Sequence, residues 1–165
     1  MKLDYELNIV IHPSKRAEIK DYIDSIPERH KDIQWMYTVT RLMKDKHIFQ
    51  DLLKQFKVRP NGISLQILDP NKIVPPHIDE KNDSLETFTR ISCVSWAIFP
   101  DYEDFAPTIY YDKTGNVIYE HRYTEKAFIM QPTKIIHGVI NNSNKRYLLQ
   151  FNFGMTPEDL LERLK

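Results

Sequence analysis

What limits the fold most is a change of grammar at Pro60-Asn61-Gly62, a turn after which strand-like segments succeed one another with little helical periodicity. Strands are expected at Ile63–Leu68, Ile73–Asp79, Thr89–Phe99, Thr108–Tyr111, Val117–Tyr123, Ala127–Gln131, Ile135–Ile140 and Arg146–Phe153. Asp112-Lys113-Thr114-Gly115-Asn116 reads as a hairpin turn in which Gly115 takes the positive φ, and Asn141–Asn144 reads as a second turn. About eight short consecutive strands suit a mainly β fold with flanking helices, a double-stranded β-helix or jelly roll. Its two packed sheets limit exposed edges and enclose a small pocket at one mouth.

The first sixty or so residues read differently. Leu3–Ile11 is a β-branched and aromatic stretch closed by His12-Pro13, so it is expected as a strand. Ser14 is placed to cap a helix over Lys15–Ile26, where Ala17, Ile19, Tyr22, Ile23 and Ile26 recur mostly at three- and four-residue spacing until Pro27 stops them. A strand at Trp35–Thr40 and a helix at Asp45–Lys57 follow, the latter striped by Ile48, Phe49, Leu52, Leu53 and Phe56. Laid on the outside of the larger sheet, these helices give it two buried faces, which accounts for the nearly continuous apolar and small residues of Thr89–Phe99. Thr156 as N-cap, Pro157 at the first helical position and the acidic Glu158 and Asp159 predict a last helix over Pro157–Leu164. No linker, repeat or low-complexity tract interrupts the chain, so one domain is expected over 1–165: support over about 1–60, β core over about 61–153, and a C-terminal helix over about 156–165.

Composition narrows the partners. Of 165 residues 41% are hydrophobic and 12% aromatic, enough for a core. Lys and Arg balance Asp and Glu at 23 each with no long run of either sign, so no polyanion or membrane surface is announced and nucleic acid is not favoured. Cys93 is the single cysteine, and the start Met1-Lys2-Leu3-Asp4-Tyr5-Glu6 lacks a signal peptide's apolar core, so a reducing cytoplasmic location is the expectation. No apolar run approaches the ~18 residues that span a bilayer.

The chemistry is carried by Val74-Pro75-Pro76-His77-Ile78-Asp79-Glu80. Residues i and i+2 of a strand share a face roughly 6.5 Å apart, so His77 and Asp79 can reach one ion; a solvated loop pair is the plainer reading of the triplet alone. Ile135-Ile136-His137-Gly138-Val139 adds a second imidazole in an apolar run, on a strand that a jelly roll can set beside the first although about sixty residues intervene. Two imidazoles and one carboxylate on one side of an octahedral ion suit non-haem Fe(II) and leave three positions open. Zinc would favour tetrahedral closure, and Cys93 sits among apolar residues, where it packs rather than ligates.

Arg146 gives the open positions a use. The last strand alternates Arg146, Leu148, Gln150 and Asn152 on one face with Tyr147, Leu149, Phe151 and Phe153 on the other. Its polar face could simply meet water. If instead the aromatic face packs under the helices, Arg146 points into the roll, where a guanidinium needs an anion; a cosubstrate carboxylate held by two parallel hydrogen bonds would meet that need.

Through His77-x-Asp79, distal His137 and Arg146 the chain resembles the Fe(II)- and 2-oxoglutarate-dependent oxygenases, over roughly Ile63–Phe153. Within that family Arg90-Ile91-Ser92 and His137-Gly138-Val139 followed by Arg146 look like the prolyl hydroxylases and aspartyl/asparaginyl hydroxylases. The resemblance implies that His77, Asp79 and His137 bind iron and that Arg146 binds the far carboxylate of 2-oxoglutarate, with O2 as co-reactant. It implies hydroxylation of a prolyl or other amino-acid side chain, free or peptidyl. A cupin-like metal-binding or structural jelly roll without redox turnover would use the same ligands, and a buried Arg146 separates the two readings. The chain departs from the hydroxylases between the ligands, where Pro107-Thr108-Ile109-Tyr110-Tyr111 stands in place of a Gly-Gly-x-Thr-like stretch.

Further residues draw attention. Arg90 is a possible secondary pocket contact, against pairing with a carboxylate such as Glu86. His121-Arg122-Tyr123 reads first as a solvated hairpin edge, Trp96 and Tyr110 as core or cleft lining, and His12, His30 and His47 as surface. The segments Asp79–Glu86 and Pro100–Pro107 flank the expected mouth and could close over a target.

Overall fold

The computed structural model describes residues 2–27, 32–33, 37–39, 47–79 and 90–164. In chain order its elements are β1 (Asp4–Val10), α1 (Pro13–Ser25), β2 (Asp32–Ile33), β3 (Tyr37–Val39), α2 (Gln50–Leu53), β4 (Gly62–Leu68), β5 (Ile73–His77) and β6 (Ser92–Phe99). Then come β7 (Thr108–Tyr111), β8 (Val117–His121), β9 (Lys126–Met130), β10 (Ile136–Ile140), β11 (Arg146–Phe153) and α3 (Pro157–Leu161). The strands form two antiparallel sheets, ordered β1-β9-β6-β11-β4-β3-β2 and β5-β10-β7-β8. This is the expected jelly roll. No described helix is long and apolar enough to cross a membrane.

The larger sheet is buried on both faces, and strand alternation sorts the residues. Tyr147, Leu149, Phe151 and Phe153 of β11, Val94, Trp96 and Ile98 of β6, and Ile63, Leu65 and Ile67 of β4 pack outward with Ile19 and Ile23 of α1, Phe49, Leu52, Phe56 and Leu160. Phe151 anchors this layer, meeting Trp96 edge to face at 5.0 Å and Phe49 at 6.2 Å. Trp96 thus belongs to the core, its indole N–H donating to the Ile9 carbonyl at 3.1 Å. Between the sheets lie Cys93, Ala97, Phe105, Tyr110, Tyr123, Phe128, Met130, Ile135 and Leu148. Because β6 shows only Cys93, Ser95 and Ala97 to this side, its bulk goes to the helix layer.

Local expectations hold unevenly. Gly115 takes φ +88° in the β7–β8 turn, where the Asp112 carboxylate accepts from the Thr114 and Asn116 amides. Thr156 caps α3, accepting from the Asp159 amide. At α1 the cap falls on His12, which accepts from the Ser14 amide, because Pro13 takes the first turn where no N–H is needed. The expected helix over Asp45–Lys57 shrinks to a 3₁₀ turn at 47–49 running into the single turn of α2, and Phe56 instead bridges Leu164. Phe49, Leu52 and Phe56 still reach the core, so the apolar spacing records burial without recording a continuous helix. Residues 41–46 and Trp35, Met36 and Thr40 of the expected strand lie outside the described residues, as do His30, Glu86 and the rest of 80–89.

Candidate active site

Pairing of β10 with β5 builds a cluster of His77, Asp79 and His137 whose ligand atoms are close enough together to hold a metal ion. In their antiparallel register His137 stands directly opposite His77, and the rings approach to 4.5 Å between centroids. Gly138 permits this closeness, since a Cβ there would lie 2.7 Å from the Val74 carbonyl oxygen. Asp79 falls just past the end of β5, its amide donating to the Pro132 carbonyl at 2.9 Å, and that bond turns its carboxylate back over the two imidazoles. The Asp79 carboxylate oxygen Oδ1 lies 2.9 Å from His77 Nε2 and 3.6 Å from His137 Nε2, and the ligand atoms of all three residues fall within 4.8 Å of one another. With metal–ligand bonds of about 2.1 Å, neighbouring positions on an octahedral ion stand about 3 Å apart, so the cluster lies close to three ligands on one side of such an ion.

Hydrogen bonds fix which nitrogen each ring offers. His77 Nδ1 lies 2.8 Å from the Pro75 carbonyl and His137 Nδ1 lies 2.9 Å from the Ile135 carbonyl. A carbonyl can only accept, so both Nδ1 atoms carry the proton and both Nε2 atoms are left for a ligand. Arg90 is buried, and its Nη2 reaches the other Asp79 oxygen, Oδ2, at 3.3 Å. It therefore sits against a proposed ligand rather than in open solvent, and it holds the carboxylate so that Oδ1 faces the imidazoles.

The charges follow from this packing. Burial pushes the Asp79 carboxyl up, but the His77 hydrogen bond and the Arg90 charge outweigh it and leave the group below its ordinary value. Burial also lowers His77, yet its bonds to Asp79 and Pro75 raise it on balance, while the more deeply buried His137 stays below its ordinary value. One ionised carboxylate between two imidazoles, one of them held neutral, is a donor set ready for a divalent cation.

The second half of the site is Arg146, at the head of β11 and only 2% exposed. Its Nε donates to the Ala106 carbonyl at 3.1 Å, and its Nη2 to the Tyr123 hydroxyl at 3.0 Å and more weakly to Thr108 Oγ1 at 3.4 Å. Its guanidinium lies over Phe105, 4.5 Å from the ring centroid. Among the described residues no carboxylate pairs with it, and burial lowers its basicity against the opposing influence of Tyr123. A guanidinium stays charged even so, so the positive charge inside the roll asks for an anion.

The strands tie the halves together. Tyr110 stands directly opposite His137 in the β7–β10 register, and Thr108 is one same-face step along β7 from Tyr110. Among the described residues the Tyr110 hydroxyl, Gln150 Oε1 and Asn152 Oδ1 are buried without a hydrogen-bond partner. Such groups each cost about 1–3 kcal/mol unless something polar meets them, so the interior along this face of β11 suits a polar ligand.

His77, Asp79, His137 and Arg90 are thus brought together, and Arg146 is buried separately inside the roll. Thr108 and Tyr123 are the members that sequence reasoning misses. The sequence places Tyr123 with His121 on a solvated edge, but β8 ends at His121 and the chain turns inward, burying both while Arg122 stays outside, paired with Glu120 at 2.9 Å. The segment 100–107 is no free flap: Phe105 and Ala106 are buried, and the Ala106 carbonyl holds Arg146. The one signal for Thr108 in the sequence is its place in the departure from the hydroxylase pattern.

No protein-family model matches this chain, and no curated protein matches it in sequence. Its fold does match solved structures. A viral collagen prolyl hydroxylase from Paramecium Bursaria Chlorella virus-1, in its 2OG complex, superposes with a TM-score of 0.55 at 8% identity, over 90% of this chain and 94% of that one. A prolyl hydroxylase from Trichoplax adhaerens, in complex with a hypoxia inducible factor peptide fragment, superposes with a TM-score of 0.58 at 11% identity, over 92% and 83% of the two chains. HygX from Streptomyces hygroscopicus, with nickel and 2-oxoglutarate bound, gives a TM-score of 0.56 at 6% identity, over 91% and 82%. At such identities the likeness shows the fold, a jelly roll of the kind found in 2OG-Fe(II) oxygenases.

Proposed function

We propose that this protein is a non-haem Fe(II)- and 2-oxoglutarate-dependent dioxygenase that hydroxylates a prolyl or other amino-acid side chain, free or peptidyl. The observation that carries the reading is Arg146, a buried guanidinium without a carboxylate partner among the described residues, in the same roll as the His77, Asp79 and His137 cluster. A metal-binding or structural roll has no use for that charge, so its burial favours a cosubstrate over the cupin-like alternative. The fold neighbours, two of them prolyl hydroxylases, support the same class.

In this reading His77 Nε2, His137 Nε2 and Asp79 hold the iron, which supplies O2 activation coupled to decarboxylation of 2-oxoglutarate and oxidation of a substrate C–H bond. The rest is the work of the chain. Arg90 keeps Asp79 aimed by bonding its far oxygen, and the Pro75 and Ile135 carbonyls hold the imidazoles in register. Arg146 takes the distal carboxylate of 2-oxoglutarate. Tyr123 and Thr108 both accept from Arg146 Nη2 and share a 2.6 Å hydrogen bond in which either hydroxyl can donate; with Tyr123 as donor, the Thr108 proton is left to donate to that carboxylate. The rings of Phe105 and Tyr123, 4.5 and 5.4 Å from the guanidinium carbon, help keep water from the buried charge.

Anaerobic addition of Fe(II) and 2-oxoglutarate should give a visible charge-transfer band that is lost in Asp79→Ala. No band in the native protein would count against the assignment. Succinate release across amino acids, proline-containing peptides and oligonucleotides, with product masses, then tests the substrate class. A one-oxygen gain confined to an oligonucleotide would overturn the amino-acid reading and leave the iron site standing.

A further inference from the structure

Asp4 and His121 are brought together at the far side of the Arg146 pocket although 117 residues separate them. Asp4 opens β1, at the edge of the larger sheet, and His121 closes β8, at the edge of the smaller one. His121 Nδ1 lies 2.5 Å from Asp4 Oδ2, so an interaction between the two sheets' edge strands closes this side of the roll. The imidazole is buried, stacked on Phe128 at 3.7 Å and 21°, and it meets the Tyr123 ring edge to face at 4.9 Å and 89°. Tyr123 is also boxed by Phe105 at 4.6 Å and Phe128 at 5.2 Å. With its ring held on three sides, its hydroxyl can stand only where Arg146 Nη2 and Thr108 Oγ1 meet it.

We propose that Asp4 and His121 are positioning residues for the carboxylate anchor: their bond fixes the His121 ring, the ring fixes Tyr123, and Tyr123 fixes the direction in which Arg146 presents its guanidinium. The first strand of the chain thereby becomes part of the cosubstrate site. The proposal rests on the reading of Arg146 as the anchor of 2-oxoglutarate. Neither Asp4 nor His121 touches the ligand, so the loss expected from removing them is one of orientation. Bidentate recognition of a carboxylate depends on the plane of the guanidinium, so a tilted Arg146 keeps its charge and loses geometry.

The test uses the full chain loaded with Ni(II), which binds without turnover, and measures dissociation constants for 2-oxoglutarate and for oxalate. Oxalate can chelate a metal but has no distal carboxylate to reach Arg146. Asp4→Asn, which keeps shape, and His121→Phe, which keeps the stacking on Phe128, should each weaken 2-oxoglutarate roughly tenfold, the size of a lost charge-assisted hydrogen bond, with oxalate unchanged. Arg146→Gln is the control and should lose 2-oxoglutarate selectively. Unchanged 2-oxoglutarate affinity in both folded variants would overturn the brace while the anchor stands; equal weakening of both ligands would overturn it too, by pointing to the metal or the fold. Should His121→Phe fail to fold, Asp4→Asn at the sheet edge decides alone. If the parent binds 2-oxoglutarate no better than Arg146→Gln does, the reading of Arg146 itself falls.

Discussion

At the scale of the residue, Arg146 exposes a conflict between stability and function. A guanidinium buried without a carboxylate partner among the described residues is costly, and replacing such a group with an apolar side chain of similar volume often stabilises a fold. Arg146→Met should therefore match or exceed the parent in ligand-free thermal unfolding, by up to a few degrees, while losing affinity for 2-oxoglutarate. A Tm well below the parent's would show that the bonds to Ala106 and Tyr123 outweigh the burial cost. The sequence offers His77, Asp79, His137 and Arg146 as candidates through the His-x-Asp triplet, a second imidazole in an apolar run and the alternation of the last strand. Thr108, Tyr123, Asp4 and His121 cannot be found in this way, because their meeting depends on how one sheet lies over the other.

Among the elements, the β5–β10 pair carries the proposed metal ligands, and Gly138 is where it is most sensitive. A Cβ there would come 2.7 Å from the Val74 carbonyl, against backbone that cannot swing away as a side chain would. Gly138→Ala is expected to cost about 1–3 kcal/mol, the range of an overpacked site, and to weaken metal binding by parting His77 from His137. Denaturant melts with and without metal would check both; a variant with parent stability and parent affinity would refute the close fit. The docking of α1 gives a pH dependence. Burial raises the Asp24 carboxyl, but hydrogen bonds from Lys20 at 2.7 Å and Tyr147 at 2.5 Å outweigh it, and the group lies below its ordinary value. A carboxyl lowered on folding contributes stability that is fully present above its unfolded value and fades as pH falls through the lower folded one. Because the side chain is largely exposed, Asp24→Asn should cost only about 0.5–1 kcal/mol near neutral pH, and the difference from the parent should vanish once the pH is below that lowered value. Denaturant melts at a series of pH values check this, and a difference that persists unchanged into strong acid would remove Asp24 from the account. The short α2 shows the limit of reading helices from spacing: an irregular turn buries Phe49, Leu52 and Phe56 as well as a helix would have.

On the scale of the whole molecule, the two-sheet roll is legible because its strands are short, β-rich and separated by turns, and because β6 reads as buried on both faces. The pairing order is less so, since the chain passes between the sheets and neighbours in space are far apart in sequence. The passage from β10 to β11 has a consequence of its own. His137 stands on the smaller sheet and Arg146 on the larger, so the two ends of the proposed cosubstrate are held by different layers, whose separation is set by side-chain packing at about 10 Å. Such a pair of layers acts as a gauge of carbon-chain length. On the proposed function a five-carbon 2-oxo diacid is expected to span it, with oxaloacetate a methylene short and 2-oxoadipate forced to buckle. Each should bind the Ni(II)-loaded protein roughly tenfold or more weakly, in a competition measurement against 2-oxoglutarate. Filling the gap from one side, with Leu148→Phe on the inner face of β11, should shift the preference in that measurement toward the four-carbon acid.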